Sequence, residues 1–393
     1  MRPTAPGVAG RPLRVLLWGT YDTGKPRVRL LREGLRRNGA EVLEVHHPLW
    51  DAIEDKSQVR GLRRWLKLAA NAAIAYPRLV WRYLRAPPHD VVLVAYPGLL
   101  DLFVLRPFAW ARRVPLAWDW FLSAYDTIVL DRRLLSPRNP AAWLIRALEW
   151  SGPRLANVTF MDTAAHARRM EQVFGLPEGR IGRVWVGAEE ARFSAGGDGV
   201  AHGDDAARPF TVLIYGQFIP LHGADVIVEA AAALRDHDVD WLLVGTGQEA
   251  ARIDAALARH ALPRVRRVDW MPYAELRDAM AGADVVLGIF GTSDKAASVI
   301  PNKVFQAAMA RRPLITRDSP ALREFLPDAP PFVSLVPAGD AGALAAAVLR
   351  AKAMLPGTRI VPDLALAPFD TAAIGCQLVE LLQRATGRGA HNA

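Results

Sequence analysis

Short apolar runs and longer amphipathic runs alternate along almost all of this 393-residue chain. That alternation constrains the fold more than any other feature. In the first half the apolar runs are Leu13–Trp18, Glu41–His46, Val91–Ala95, Pro115–Trp118 and Asn157–Phe160, with helical patterns such as Val28–Asn38 and Thr163–Phe174 between them. In the second half they are Phe210–Tyr215, Trp241–Val244, Val265–Val268, Val285–Ile289 and Leu314–Thr316, with helical patterns at Ala224–Arg235, Glu249–His260 and Val304–Arg311. Strands separated by helices of roughly 10–15 residues predict βαβ units and parallel sheets. Between the halves, Ser194–Pro209 is polar, glycine-rich and without hydrophobic period, which predicts a linker. The expected architecture is α/β: two doubly wound Rossmann-like domains, 1–193 and 210–393, facing a cleft, with the last helix a candidate to pack back on the first domain. In such sheets ligands sit beyond the carboxyl ends of the strands.

Composition narrows the partners. A single cysteine, Cys376, excludes a disulfide framework and any multi-cysteine metal site. No run of about 18 uncharged apolar residues is present, and Met1–Pro12 lacks the apolar core of a secretory signal. The expectation is a cytoplasmic protein, peripheral on a membrane at most. Residues 1–193 carry 30 Lys/Arg against 18 Asp/Glu, whereas the remainder carries 19 against 22, and ten of the twelve tryptophans lie in the basic part. A basic, Trp-rich half suits nucleic acid, an anionic membrane or an anionic substrate, or is simply an arginine-rich solvated surface. Its densest stretch is Arg60–Arg85. There Arg60, Arg63, Arg64, Lys67, Arg78, Arg82 and Arg85 interleave with Trp65 and Trp81, and Pro77 is expected to divide the stretch into two short helices. A basic amphipathic helix with tryptophan suits an anionic lipid surface. An ordinary domain helix with solvated arginines is the competing reading. No nucleic-acid-binding module accompanies the charge.

After the first strand comes G-T-Y-D-T-G-K-P, Gly19–Pro26, close to the phosphate-binding pattern G-x-x-x-x-G-K-[ST]. Pro26 replaces the hydroxyl residue that would hold Mg²⁺, and proline has no N–H to offer a phosphate. The open readings are a P-loop, a loop with Gly19, Thr20 and Lys25 facing the cleft, and a plain tight turn. In the second half, Gly216–Ala230 follows a strand as G-Q-F-I-P-L-H-G-A-D-V-I-V-E-A, and Leu242–Glu249 reads L-L-V-G-T-G-Q-E. Ser298–Thr316 then reads S-V-I-P-N-K-V-F-Q-A-A-M-A-R-R-P-L-I-T. Gly245 and Gly247 allow close backbone approach to a ligand. Pro301-Asn302-Lys303 opens a helix, whose free N–H groups and positive end suit a diphosphate.

The order of these segments resembles the C-terminal domain of glycosyltransferases with the GT-B fold, especially retaining family 4 and a subgroup with V-I-P-N-K-V-F-Q. Asp162–Met170 and Arg183–Phe193 resemble the end of the N-terminal domain of that family. The resemblance implies an enzyme that moves a sugar from a nucleoside-diphosphate donor to a lipid-linked or polysaccharide acceptor with retention, needing neither cofactor nor metal. It implies donor contacts from Gly19, Thr20, Gly216, Gln217, His222, Gly245, Gly247, Lys295, Ser298, Pro301, Asn302, Lys303 and Gln306. Two departures stand out. The paired glutamates of many members are here Ser298 and Gln306, and an amide still offers a ribose both donor and acceptor. The Arg and Lys of many members fall at Gln217 and His222, which leaves Lys303 and Lys295 as candidate diphosphate cations.

On the acceptor side, Trp118–Asp131 follows a strand and offers Asp119, Ser123 and Asp126, with Lys25 in the first loop. Asp119 is the first choice there, against a plain helix cap. In this family the donor phosphate itself is taken to help deprotonate the incoming hydroxyl. Catalysis would then rest on positioning and on stabilising the leaving diphosphate, with Lys303 carrying the charge. A non-catalytic nucleotide-binding protein, a sugar-nucleotide epimerase and a P-loop NTPase are the competing functions.

Overall fold

The computed structural model describes residues 11–50, 62–189, 209–330, 332–354 and 369–387. Arg60 and the expected linker up to Arg208 lie outside the described residues, as do the side chains of Arg64 and Trp65.

Among the described residues, twelve strands form two six-stranded sheets. The first holds β1 (Arg14–Gly19), β2 (Glu41–His46), β3 (Val91–Val94), β4 (Leu116–Asp119), β5 (Val158–Met161) and β6 (Ile181–Arg183), in the order β2-β1-β3-β4-β5-β6. The second holds β7 (Phe210–Tyr215), β8 (Val239–Val244), β9 (Val265–Val268), β10 (Val285–Leu287), β11 (Leu314–Arg317) and β12 (Val333–Val336), in the order β12-β11-β10-β7-β8-β9. The registered pairs are parallel, as in β1 with β3 and β7 with β8. Both sheets belong to the α/β class.

Sequence chemistry explains which strands are central. β3 is VVLV and buried throughout, as a strand covered on both faces must be. Edge strands carry charge: β2 has Glu41 and Glu44, and β9 has Arg266 and Arg267. Two strands went unread in the sequence, β6 and β12. Both are short edge strands, of three and four residues.

The helices are α1 (Pro26–Arg37), α2 (Leu62–Leu84), α3 (Leu99–Ala111), α4 (Pro140–Leu155), α5 (Ala164–Phe174), α6 (Ala224–Ala233), α7 (Ala250–His260), α8 (Tyr273–Gly282), α9 (Asp294–Ser298), α10 (Asn302–Met309), α11 (Pro320–Phe325), α12 (Ala341–Met354) and α13 (Thr371–Ala385). A turn of π-helix spans Asp126–Asp131. Contrary to expectation, Pro77 does not divide α2, which runs unbroken for 23 residues. A proline removes one helical hydrogen bond, here to the carbonyl of Ala73. Ala73 is on the exposed side, where water can satisfy that carbonyl.

The chain forms two compact units. One gathers residues 1–120, 151–159 and 372–393; the other gathers 121–150 and 160–371. In the first unit, Trp18 Nε1 donates to the carbonyl of Leu79 at 3.2 Å, tying β1 to α2. α13 lies close against α1: a Cβ on Gly375 would stand 2.1 Å from the carbonyl oxygen of Gly34, and Asn38 Nδ2 donates to Ala372 O at 2.7 Å. In the second unit the core packs Val212, Ile214, Leu243, Val285 and Leu287 of the sheet against Ile227, Val228, Leu344 and Val348 of α6 and α12.

Candidate functional site

The carboxyl ends of the strands in the first unit carry Gly19, Thr20 and Asp119. Gly19 closes β1 at φ +124°, and a Cβ there would meet Asp101 Oδ2 at 2.1 Å. Asp101, from the first turn of α3, accepts the Thr20 N–H at 2.7 Å, the Thr20 hydroxyl at 3.0 Å and the Tyr76 hydroxyl at 2.9 Å. Burial pushes the Asp101 carboxyl up to about 6 despite these three donors. Thr20 Oγ1 also accepts from Trp50 Nε1 at 3.0 Å. Thr20 is therefore committed to this internal network. Lys25 precedes α1 at its N-cap position. The loop does not present the amides of a phosphate cradle, since the Gly24 N–H is held by Asp22 Oδ1 at 2.9 Å.

Asp119 ends β4 and is fully buried. Arg27 of α1, only 2% exposed, grips it with Nε at 2.9 Å from both oxygens and Nη2 at 2.7 Å from Oδ1. The structure thus gives Asp119 an internal cation, which the sequence alone did not link to it.

Ser123 and Asp126 fold with the second unit. Ser123 Oγ donates to Glu149 Oε2 at 2.6 Å and accepts the Asp126 N–H at 3.0 Å, so it caps the π-turn. Asp126 is paired with Arg169 at 2.8 Å and with Lys295 at 3.4 Å. Burial pushes its carboxyl up, but Lys295, His166 and Arg169 outweigh burial and hold it below the usual range. Lys295 also donates to Thr127 Oγ1 at 2.5 Å. Ser298 directs its hydroxyl to the carbonyl of Asp294, and its own carbonyl accepts from Thr163. These groups form one buried polar network around α5 and α9.

A different kind of place surrounds the end of β7. Gly216 follows the strand at φ +127°, and a Cβ there would meet His222 Cε1 at 3.0 Å and Lys303 Nζ at 3.4 Å. Gly245, at φ +148°, lies so close beneath that a Cβ would stand 1.8 Å from Gly216 O; a Cβ on Gly247 would stand 2.7 Å from Phe218 O. α10 begins after Pro301 with no side-chain cap, leaving its first amides available. Lys303, in its first turn, is buried, and Nζ has no hydrogen-bond partner among the described residues. Burial alone lowers its ammonium to about 7. His222 is held well below the usual imidazole range, first by burial and then by the charge of Lys303, so its ring is neutral.

Two neighbours were missed by sequence reasoning. Arg132 reaches Gln217 Oε1 with Nη2 at 3.3 Å and adds to the positive field on His222. Nothing in the run around Asp131-Arg132-Arg133 signals this placement. Tyr215 donates its hydroxyl to Gln306 Oε1 at 2.5 Å, and Gln306 Nε2 lies 3.5 Å from the Tyr273 hydroxyl. Tyr215 was legible in principle, as the last strand residue before the glycine turn.

The arrangement combines close-approach glycines, an unpartnered ammonium, a second cation, a neutral imidazole and an uncapped helix start. Such a place suits an oxyanion-rich ligand.

Residues 209–353 match the family described as glycosyl transferases group 1. No curated protein matches the chain in sequence. Among solved structures, HepE from Anabaena, in complex with UDP and glucose, is 16% identical with a TM-score of 0.65, covering 95% of this chain and 100% of that one. Sucrose-phosphate synthase from Thermosynechococcus elongatus is 16% identical with a TM-score of 0.61, covering 96% and 95%. The lipopolysaccharide outer core galactosyltransferase WaaB, in its apo form, is 12% identical with a TM-score of 0.57, covering 95% and 99%. These likenesses carry the two-sheet fold, and the family match carries the second half. The chain has the GT-B fold, and its residues 209–353 match the group 1 glycosyltransferase family.

Proposed function

We propose that this chain transfers a sugar from a nucleoside-diphosphate donor to a lipid-linked or glycan acceptor, with retention at the anomeric carbon. The observation that carries the reading is Lys303: a buried ammonium without a partner, at an uncapped helix start and against a glycine turn. A buried charge is costly unless paired, so the place is complete only with an anion in it. In this reading Lys303 and Arg132 stabilise the leaving diphosphate, with Arg132 acting where many relatives carry a cation after the first strand of this domain. The neutral His222 ring offers a hydrogen bond without adding charge. Gln306 holds the ribose with its amide NH₂, its oxygen being taken by Tyr215. HepE, crystallised with UDP and glucose, supports a uridine donor as the first to try. Retention rests on the resemblance to family 4.

The acceptor side of the proposal rests on α2. Its exposed positions include Leu66, Ile74, Trp81 and Leu84, flanked by Arg63, Lys67, Arg78, Arg82 and Arg85, also exposed. Spacings of eight, seven and three residues put the apolar members on one stripe. A helix of this kind lies in a lipid interface. Among the described residues no helix is long and apolar enough to cross a membrane.

A donor screen with product mass and anomeric configuration tests the proposal directly. Transfer from a nucleotide sugar, lost on Lys303→Ala, is the expected result. Failure to bind UDP, GDP or ADP would overturn it.

A further inference from the structure

At the amino ends of the central strands of the first sheet, before the starts of β3 and β4, lies a pocket of about 620 Å³. Its position is remote from the carboxyl ends of the strands, and its lining residues all belong to the first unit. Arg106, Trp110, Arg112 and Arg113 line it from the end of α3, with His89 and Asp90 from the segment before β3.

Its charge is positive and partly uncommitted. The carboxylate of Asp90 is taken by Arg11 Nη2 at 2.7 Å and by the Arg14 N–H at 2.8 Å. Arg112 is anchored on the carbonyls of Tyr83 at 2.6 Å and Ala86 at 3.1 Å. Among the described residues, Arg106 makes only a long contact to Asn157 Oδ1 at 3.3 Å. The Arg113 guanidinium has no hydrogen bond or ion pair among the described residues. Yet Arg113 sits at φ +55°, just past the end of α3, where a glycine is normally preferred.

His89 adds an unmet hydrogen bond. It is 8% exposed, and Nδ1 lies 2.8 Å from Pro87 O. A carbonyl only accepts, so Nδ1 carries the hydrogen. Burial lowers the ring below its usual range and keeps it neutral. Nε2 is then a buried lone pair, with no partner among the described residues. The Tyr83 hydroxyl, whose ring meets His89 edge-on at 5.6 Å, is equally unpartnered. Buried polar atoms left this way are uncommon and call for a ligand or ordered water. Trp110, 73% exposed, offers an open indole face beside them.

We infer that this pocket is a second binding site, for a saccharide bearing a phosphate or carboxylate. Arg106 and Arg113 take the anionic group, a sugar hydroxyl donates to His89 Nε2, and the apolar face of the ring lies on the Trp110 indole. The volume is that of a small-ligand cleft. The inference stands on this pocket alone and does not depend on the donor reading.

Calorimetric titration of the full chain with glucose 6-phosphate, glucuronate, glucose and inorganic phosphate, with and without excess UDP, tests it. The two anionic sugars are expected to bind with UDP present, at least tenfold more tightly than glucose or phosphate. Arg113→Gly suits the backbone at +55°, so it should keep the melting temperature while weakening both anionic sugars at least tenfold. Trp110→Ala should weaken the sugars and leave phosphate alone. Lys303→Ala should change none of this, which separates the site from the donor place. No binding of the anionic sugars, displacement by UDP, indifference to Arg113→Gly, or equal binding of free phosphate would each overturn the inference.

Discussion

Arg27 Nη2 lies 2.7 Å from Asp119 Oδ1, and both side chains are closed off from water. Removing one partner of a buried pair strands the other charge. Asp119→Ala is therefore expected to cost about 3–5 kcal/mol of stability, measured by urea denaturation. The double replacement Arg27→Met with Asp119→Leu should recover much of it. A stable, inactive Asp119→Ala would instead point to direct contact with substrate.

The Lys303 ammonium gives donor affinity a pH dependence of defined sign. Below about 7 it is charged before the diphosphate arrives. Above that, binding must take up a proton, so affinity for UDP should fall as pH rises, up to roughly tenfold per unit. His222 stays neutral through this window. Stability should move the other way. The unfolded lysine, with its ordinary value near 10.5, holds a proton that the folded one has lost. Stability contributed here rises between about 7 and 10.5, and Lys303→Met should flatten that slope. An affinity that does not change with pH in the native chain would remove the lysine from the diphosphate.

Gly245 is the tightest point of the donor place. Alanine there would put a methyl 1.8 Å from Gly216 O, at a φ of +148° that L residues avoid. Backbone cannot yield as a side-chain tip can. Gly245→Ala should destabilise the second sheet by about 1–3 kcal/mol and weaken UDP more than tenfold. Thermal melting and titration read the two effects separately.

For α2, sedimentation with vesicles is the direct measurement. Binding to vesicles with phosphatidylglycerol should exceed binding to neutral ones and fall with salt, each of Arg78, Arg82 and Arg85 contributing about 1 kcal/mol. Trp81→Ala with Leu84→Ala should weaken binding to both kinds of vesicle. Equal retention on charged and neutral lipid would contradict the electrostatic part.

Much of the fold was legible because a parallel sheet buries whole strands. Val91–Val94 and Phe210–Tyr215 stand out from any background, and Gly19, Gly216 and Gly245 mark the ends of β1, β7 and β8. The edge strand β6 was not legible, because three residues, I-G-R, carry no period; β12 is as long as the edge strand β9 and went unread all the same. At the donor place, Lys303 and Gln306 could be picked out from local order along the chain. Arg132 could not, since it precedes Gln217 by 85 positions and no local pattern announces such a meeting. The same holds for Asp101, 81 positions from Thr20, which is the acceptor that closes the first loop.

The clustering of residues 121–150 with the second half has a consequence for dividing this protein. A gene fragment beginning at residue 210 would encode the whole second sheet but neither Arg132, which steadies Gln217, nor Asp126, which neutralises Lys295. Chimeras joined at the glycine-rich segment would pair one parent's turn with another parent's cations. A crossover before Phe121 would keep those contacts but divide the first sheet between β4 and β5, so neither position parts the two sheets cleanly.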